Sequence, residues 1–364
     1  MTLTDREREI VALLRRDPLI GSAAIADALG TTRAAVNVHL SNLGKKGVIL
    51  GRGYVLSEAP SVVVIGGANL DVKARSSRAA VPATSNPGTG SMAAGGVGRN
   101  IAENLARLGT RTHLVAAIGA DGLGDQVLAA TSGAGVHVEH VRRSARATGT
   151  YTAVLDADGE LVVAVADMAA TDELSPEQVN AARDLIASAA LVVLDGNLSA
   201  ETLGFALDLA AASGTRVVLE PVSVPKATAL AQLVSTERPV YAITPNRDEL
   251  AALTGLPTRT ARQAEKAARS LHDRGVELVW VRLGAEGSLV STRQGRTRTA
   301  AVPAEVCDVT GAGDAMLAGF CHALLGGADI YDAAAYGHAA AALTIASPHT
   351  VRPDLTDRLV RSLL

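Results

Sequence analysis

Polar and apolar positions follow two different regimes along the 364-residue chain. Up to residue 57 the apolar residues recur at helical spacing. Ile10, Leu13 and Leu14 share one face of a helix predicted over residues 5–15. A short second helix is predicted over residues 22–29. A third spans residues 33–43, with Val36, Leu40 and Leu43 in register. Gly30-Thr31-Thr32 is the turn between the last two, and Thr31 or Thr32 can cap the third helix. Val48-Ile49-Leu50 and Tyr54-Val55-Leu56 flank Gly51-Arg52-Gly53 and predict a two-stranded hairpin.

Glu58-Ala59-Pro60 is a short linker, and beyond it the pattern changes. Continuous apolar runs over residues 62–65, 113–118, 191–194, 217–219, 241–243 and 278–281 read as buried strands. Helical segments separate them, among them residues 100–108 and 123–132. Buried strands alternating with helices predict a mostly parallel sheet covered on both faces, an α/β fold. One section breaks the alternation. Residues 151–156 and 161–166 flank Asp158-Gly159, a strong hairpin signal. With strands from residues 70–92 they predict a small separate sheet, its strands lying within about 70–92 and 148–168. The domains are therefore expected at 1–57 and 61–364.

Composition adds little beyond limits. Hydrophobic residues make up 48% and charged residues 20%, enough for a large core. Aromatics are only 2%, so helix packing must rest on small and branched aliphatic side chains. A net charge of −3 gives no overall pull toward nucleic acid or membrane. Residues 1–58 hold eight Lys/Arg and six Asp/Glu, a slight basic surplus. Cys307 and Cys321 form no metal-binding spacing and are expected as buried free thiols. No apolar run approaches the length of a membrane span and no N-terminal signal is evident, so a reduced cytoplasm is the expected compartment.

The candidate chemistry sits in glycine turns that open helices. In Val309-Thr310-Gly311-Ala312-Gly313-Asp314, the glycines let backbone N–H groups approach a ligand. The helix start favours an anion there, and Asp314 places a base beside it. Gly66-Gly67-Ala68-Asn69-Leu70-Asp71 follows the first strand of the sheet, where ligands of open α/β sheets bind. Asp71 can accept from vicinal hydroxyls. Gly95-Gly96-Val97-Gly98-Arg99-Asn100 is a second such turn, whose Asn100 can both donate and accept. In Thr244-Pro245-Asn246-Arg247-Asp248-Glu249, Asn246 and Glu249 lie one helical turn apart. Their oxygens suit hydrated Mg²⁺. Each of these turns is also compatible with an ordinary capped helix start.

Taken together, the turns resemble one family. Asp308-Val309-Thr310-Gly311-Ala312-Gly313-Asp314 resembles the second signature of the PfkB carbohydrate and nucleoside kinases, with Val309 where Thr is usual. The turn around Gly96 resembles the first signature. The segment around Asn246 resembles the family's Asn-x-x-Glu, and Arg282-Leu283-Gly284 resembles the loop that passes the nucleotide. The resemblance implies a ribokinase-like fold with a small β lid, using ATP and Mg²⁺; a requirement for K⁺ is left open. It implies Asp314 as the base, with the N–H groups of Gly311, Ala312 and Gly313 on the transferring phosphoryl group. Asp71 and Asn100, with Asn69 and Gly96 beside them, would hold the acceptor. Asn246, Glu249, Arg282, Gly284 and Thr310 would lie on the nucleotide side, Asn246 and Glu249 ordering the metal. Stretches such as Ser85-Asn86-Pro87-Gly88, Gly149-Thr150-Tyr151 and Ala166-Asp167-Met168 look like the pseudouridine kinases of that family. On that likeness Asn86, Thr150, Asp167 and Lys226 would lie near a nucleoside. Gly149, Ala166 and Glu220 depart from the pattern, standing where Ser or Thr, Asn and Asp are usual. The lid is often a dimer contact in the family, so a homodimer is expected.

Residues 1–57 resemble the winged helix-turn-helix of bacterial regulators, implying DNA as a partner. Thr32, Arg33, Asn37, His39 and Asn42 would face the groove, while Lys45, Lys46 and Arg52 would meet phosphates. The alternatives are a kinase of another nucleoside, a kinase of a sugar such as ribose or fructose, or a regulator that only senses its ligand.

Overall fold

The computed structural model describes residues 3–50 and 60–364, and the chain separates into two compact units at Ala59/Pro60. The first unit has helices Asp5–Arg16, Ser22–Ala28 and Arg33–Lys45. Ile10, Leu14, Ile25, Val36 and Leu43 meet in its core with no exposed surface. Thr4 and Glu7 form a reciprocal capping box on the first helix, and Thr32, not Thr31, caps the third.

Two expectations for this unit change. Lys46 does not point outward to await a phosphate: its Nζ lies 2.7 Å from Oε2 of Glu7, whose side chain is 1% exposed. A buried carboxylate without a cation would be costly, and Lys46 supplies one. His39 and Asn42 are half-buried, whereas Thr32, Arg33 and Asn37 are exposed as expected. The register of the third helix turns His39 partly inward, and its Nδ1 is buried with no hydrogen-bond partner. The second strand of the hairpin, with Arg52, lies outside the described residues.

The second unit holds two sheets. The strands are β1 (Ser61–Ile65), β2 (Asn69–Ser76), β3 (Gly88–Gly95), β4 (Arg111–Gly119), β5 (His137–Ser144), β6 (Thr150–Leu155) and β7 (Leu161–Asp167), followed by β8 (Leu191–Asp195), β9 (Val217–Glu220), β10 (Val240–Ile243), β11 (Val276–Arg282), β12 (Ser288–Thr292) and β13 (Arg296–Thr299). The main sheet runs β13-β12-β11-β10-β9-β8-β1-β4-β5. It is parallel except at β12 and β13. Alternate residues of the parallel strands feed two separate cores: Val62 and Val64 face one, Val63 and Ile65 the other. Being buried on both faces explains why these strands are continuous apolar runs. Trp280, the sequence's single tryptophan, is fully buried against Phe320 and donates its indole N–H to Ser288 Oγ at 2.8 Å. After β1 the chain crosses first to β4 and later to β8 on the other side. That reversal opens a crevice beyond the carboxyl ends of β1 and β8.

The second sheet, the lid, runs β3-β2-β6-β7. Its β6–β7 hairpin turns where the sequence signal lay, with Gly159 at φ +88°. Two helices begin earlier than their apolar residues suggest, at Val97 and Ala312, because each glycine turn is itself the helix start. Cys321 is buried, as expected, but Cys307 is exposed. It lies in a stretch without regular structure before the helix at Ala312.

Candidate active site

Asp195 organises the crevice. It ends β8, is fully buried, and accepts three backbone hydrogen bonds. Oδ2 takes the N–H groups of Gly67 at 2.8 Å and Gly98 at 2.7 Å, and Oδ1 takes that of Asn197 at 2.8 Å. Burial raises its carboxyl above the usual range, against the pull of those donors. One carboxylate thus fastens the turn after β1 to the start of helix Val97–Arg107. Gly96 caps that helix at φ +97°, and a Cβ there would sit 2.5 Å from the carbonyl oxygen of Gly67. No other residue fits.

Asn100 lies in the first turn of this helix. Its Nδ2 donates to Asp314 Oδ2 at 2.9 Å, while its Oδ1 accepts from Arg99 at 3.0 Å. Asp314 stands in the first turn of helix Ala312–Leu325, whose cap Gly311 is left-handed at φ +79°. A Cβ on Gly311 would collide with the carbonyl oxygen of Thr350. Loss of solvation pushes the Asp314 carboxyl up to about 7. Asn100 and Arg282 pull it down, and the charges of Glu220 and Asp195 push it further up. A half-buried carboxyl poised near neutrality, at a helix N-terminus in this crevice, has the proton affinity of a general base suited to accept a hydroxyl proton as the hydroxyl oxygen reacts.

Asp71 comes from the lid. Asn69, one strand repeat before it, donates Nδ2 to Asp71 Oδ1 at 2.7 Å. Burial raises the Asp71 carboxyl, and Asn69, Arg99 and Lys73 oppose the rise. Arg99 is 2% exposed and pairs with Glu103 at 2.6 Å; its charge acts on both Asp71 and Asp314. Lys73 reaches out of the lid to Asp308 Oδ2 at 2.8 Å, and Asp308 Oδ1 accepts from the N–H of Thr310. The lid is thereby tied to the loop that leads into the Asp314 turn.

Other expected residues fall differently. Thr150 pairs with Leu70 and with Asp167 across the lid. By strand alternation that row points away from the row of Asp71, whose partner on β6 is Tyr151. Asn86 is spent on its own loop: it accepts from the N–H of Val81 and donates to the carbonyls of Val81 and Thr84. Lys226 is half-buried and donates to the Asn197 carbonyl at 3.5 Å.

On the other side of the crevice, Asn246 and Glu249 cap one another. Asn246 Oδ1 accepts from the N–H of Glu249 at 2.9 Å, and Glu249 Oε2 from that of Asn246 at 2.8 Å. Burial raises the Glu249 carboxyl. Arg282 lies 2.6 Å from Glu220 and 3.4 Å from Glu249. Gly284 begins the single turn that follows, and Thr310 is exposed beside the glycine turn. Glu220 also accepts from Thr244 Oγ1 at 2.7 Å and from the N–H of Val222 at 3.2 Å. Val222 is β-branched yet left-handed, at φ +71°. Such a residue typically stores about 1–3 kcal/mol of strain, and it persists where its surroundings over-determine it.

Sequence reasoning assigned no role to Arg99 or Asp195, noted Glu220 only as a departure from the family pattern, and missed the Lys73–Asp308 link. Two local signals were present. Glu103 follows Arg99 at the i,i+4 spacing of a helical ion pair, and an acid closes the apolar run of β8. Lys73 and Asp308 are 235 positions apart and offer none.

Comparison with known proteins identifies the family. The model of the pfkB carbohydrate kinase family matches residues 59–357, and a winged helix-turn-helix DNA-binding model matches residues 3–49. The uncharacterized sugar kinase YeiI of Escherichia coli strain K12 is 36% identical over 356 residues, 97% of each chain. A pseudouridine kinase of the same organism is 32% identical over 311 residues, 85% of this chain and 98% of that one. Among solved structures, Arabidopsis thaliana ribokinase complexed with ribose and ATP aligns with a TM-score of 0.75 at 27% identity, covering 84% of this chain and 98% of that one. A carbohydrate kinase from Agrobacterium tumefaciens aligns at 0.73 and 31%, covering 84% and 96%. The chain is a member of the pfkB family of carbohydrate kinases, with an N-terminal winged helix-turn-helix.

Proposed function

We propose that residues 61–364 transfer the γ-phosphoryl group of ATP to the primary 5′ hydroxyl of a ribonucleoside, with pseudouridine as the favoured acceptor. The observation that carries the chemistry is the Asn100–Asp314 contact at 2.9 Å, with the Asp314 carboxyl held near 7 at a helix start. Asp71, fixed by Asn69, and Asn100 orient the acceptor through its ring hydroxyls. The Asp314 carboxylate takes the hydroxyl proton as the acceptor oxygen bonds to the γ-phosphorus. The bond to the ADP oxygen breaks, and ADP leaves. The N–H groups of Gly311, Ala312 and Gly313 stabilise charge on the phosphoryl oxygens. Thr310, Arg282 and Gly284 border the nucleotide. Closure of the lid excludes water, which would otherwise compete as acceptor.

The residues at Asn246 fit a hydrated Mg²⁺. Oε2 of Glu249 is engaged in the cap, but Oε1 has no hydrogen bond among the described residues and is free for a metal-bound water. Mg²⁺ supplies charge neutralisation on the phosphates when bound with ATP. Lys226 borders the nucleoside, Asn86 joins it only by releasing Val81 and Thr84, and Thr150 and Asp167, on the lid row opposite that of Asp71, take no part.

The acceptor assignment is supported by the 32% identity to a pseudouridine kinase over 98% of its length. A sugar acceptor is the second reading, favoured by the 36% identity to a protein named as a sugar kinase. A coupled assay of ADP release across pseudouridine, uridine, ribose and fructose separates them. The highest kcat/KM is expected for pseudouridine; a higher value for a free sugar overturns that choice and leaves the kinase assignment standing.

Residues 1–57 are proposed to bind DNA through Thr32, Arg33, Asn37 and Lys45. A homodimer through the lid is supported by the exposed apolar residues of β7, where Leu161, Val162, Val163 and Val165 are each at least half exposed.

A further inference from the structure

A cluster far along the sheet has no part in this chemistry. His113 lies near the amino end of β4, and His137 and Glu139 lie near the amino end of β5, the outermost strand. The acceptor and phosphate turns sit at the opposite, carboxyl ends of the parallel strands. The two imidazoles stack with centroids 4.5 Å apart and planes 20° apart. His137 Nδ1 lies 3.5 Å from Glu139 Oε1. One ligand-capable atom from each of the three residues falls within 4.8 Å of the others. The pairing explains the convergence. From His113 to Val115 the inner strand advances two residues while β5 advances three, from His137 to His140. That irregularity is a bulge, a device that re-aims side chains at sheet edges.

We propose that His113, His137 and Glu139 form a site for one zinc-class divalent cation, with water completing its coordination. Two imidazoles and one carboxylate suit Zn²⁺, Co²⁺ or Ni²⁺ and not Mg²⁺, which prefers an all-oxygen shell. His113 is 8% exposed, whereas Glu139 is open to solvent, so a cation can enter from the sheet edge. Arg111 is the positive neighbour that opposes it, His140 is held toward its neutral form by burial, and Glu139 supplies the compensating charge. A bound ion would clamp β5 to β4, fastening an edge that only one ladder holds.

The test uses the full-length, tag-free chain stripped with a chelator. Co²⁺ is titrated while ligand-field absorption is followed, Zn²⁺ is titrated by calorimetry, and Tm is read with and without Zn²⁺. One equivalent is expected to bind and to raise Tm. Because truncating buried His113 also threatens folding, the variants are His137→Gln and Glu139→Gln at accessible positions. Each should weaken binding at least about 10-fold, the low end of the loss seen even for outer-shell partners, and remove the Tm rise. Mg²⁺-dependent ADP release should stay at the wild-type rate in both. Failure of the wild type to take up one equivalent overturns the site. So does uptake that is undiminished in both variants, since the ion would then reside elsewhere.

Discussion

In the proposed reaction Asp314 takes the acceptor's proton, and its protonation gives the most direct prediction. With its carboxyl near 7, the logarithm of kcat/KM should rise with pH up to about 7 and then level. Asp314→Asn should lower kcat by about 10²–10⁴-fold, the usual worth of a general base. Rates across pH for both proteins check this; wild-type turnover in the variant would sink the role. Stability carries the same signature with a definite sign. The unfolded carboxyl ionises near its ordinary value of 3.8, the folded one only near 7. The protonated native state is therefore favoured at low pH, and that advantage drains away between about 4 and 7. Asn at 314 escapes the loss, so the variant should gain on wild type over that window, measurable as ΔTm against pH. Asp195 behaves differently. Asp195→Ala would strand three backbone donors at 2.7–2.8 Å contacts, each costing about 1–3 kcal/mol. A marked fall in Tm is expected, together with lost activity.

At the scale of elements, Lys73–Asp308 ties the lid to the loop that leads into the Gly311 turn. The pair is partly exposed, with side chains 33% and 27% accessible, so it should contribute only about 0–1 kcal/mol to stability. Its effect belongs to the site. Lys73→Met is expected to leave Tm nearly unchanged while raising the acceptor KM more than the ATP KM; steady-state kinetics with each substrate varied decides it. In the first unit, Lys46 holds Glu7 where the sequence suggested a phosphate contact. Lys46→Ala should therefore destabilise that unit, since it leaves a buried carboxylate unpaired. Chemical denaturation checks this. A change in the salt slope of DNA binding with unchanged stability would restore the phosphate role.

For the whole molecule, a regulator-like unit and a kinase unit share one chain across the boundary at Ala59/Pro60. Two binding functions on one chain allow reciprocal coupling: if the acceptor alters DNA affinity, DNA alters acceptor affinity by the same factor. The expectation is that the acceptor nucleoside shifts affinity for the gene's own upstream region, measured at stated salt with and without nucleoside. Equal affinity in both removes the coupling, and absence of DNA binding at low salt removes the regulator role.

Periodicity and turn residues determined the alternation of strands and helices, the three-helix start and the lid hairpin. Each of those is set by neighbours within a few residues: buried strands by continuous apolar runs, the hairpin by Asp158-Gly159. Glycine turns likewise marked Asp71, Asn100 and Asp314 as chemistry-bearing positions before any fold was known. Only the tertiary structure decided which of them meet. Asn100 reaches Asp314 across 214 positions, and the Asp195 clamp spans 128 and 97 positions to Gly67 and Gly98. It also decided that Lys46 faces Glu7, that Tyr151 and not Thr150 shares the row of Asp71, and that Cys307 is exposed. The physical reason is common to all of these. Local pattern reports which residues are apolar and where turns fall, but a carboxylate's partner, burial and proton affinity depend on what long-range packing places against it.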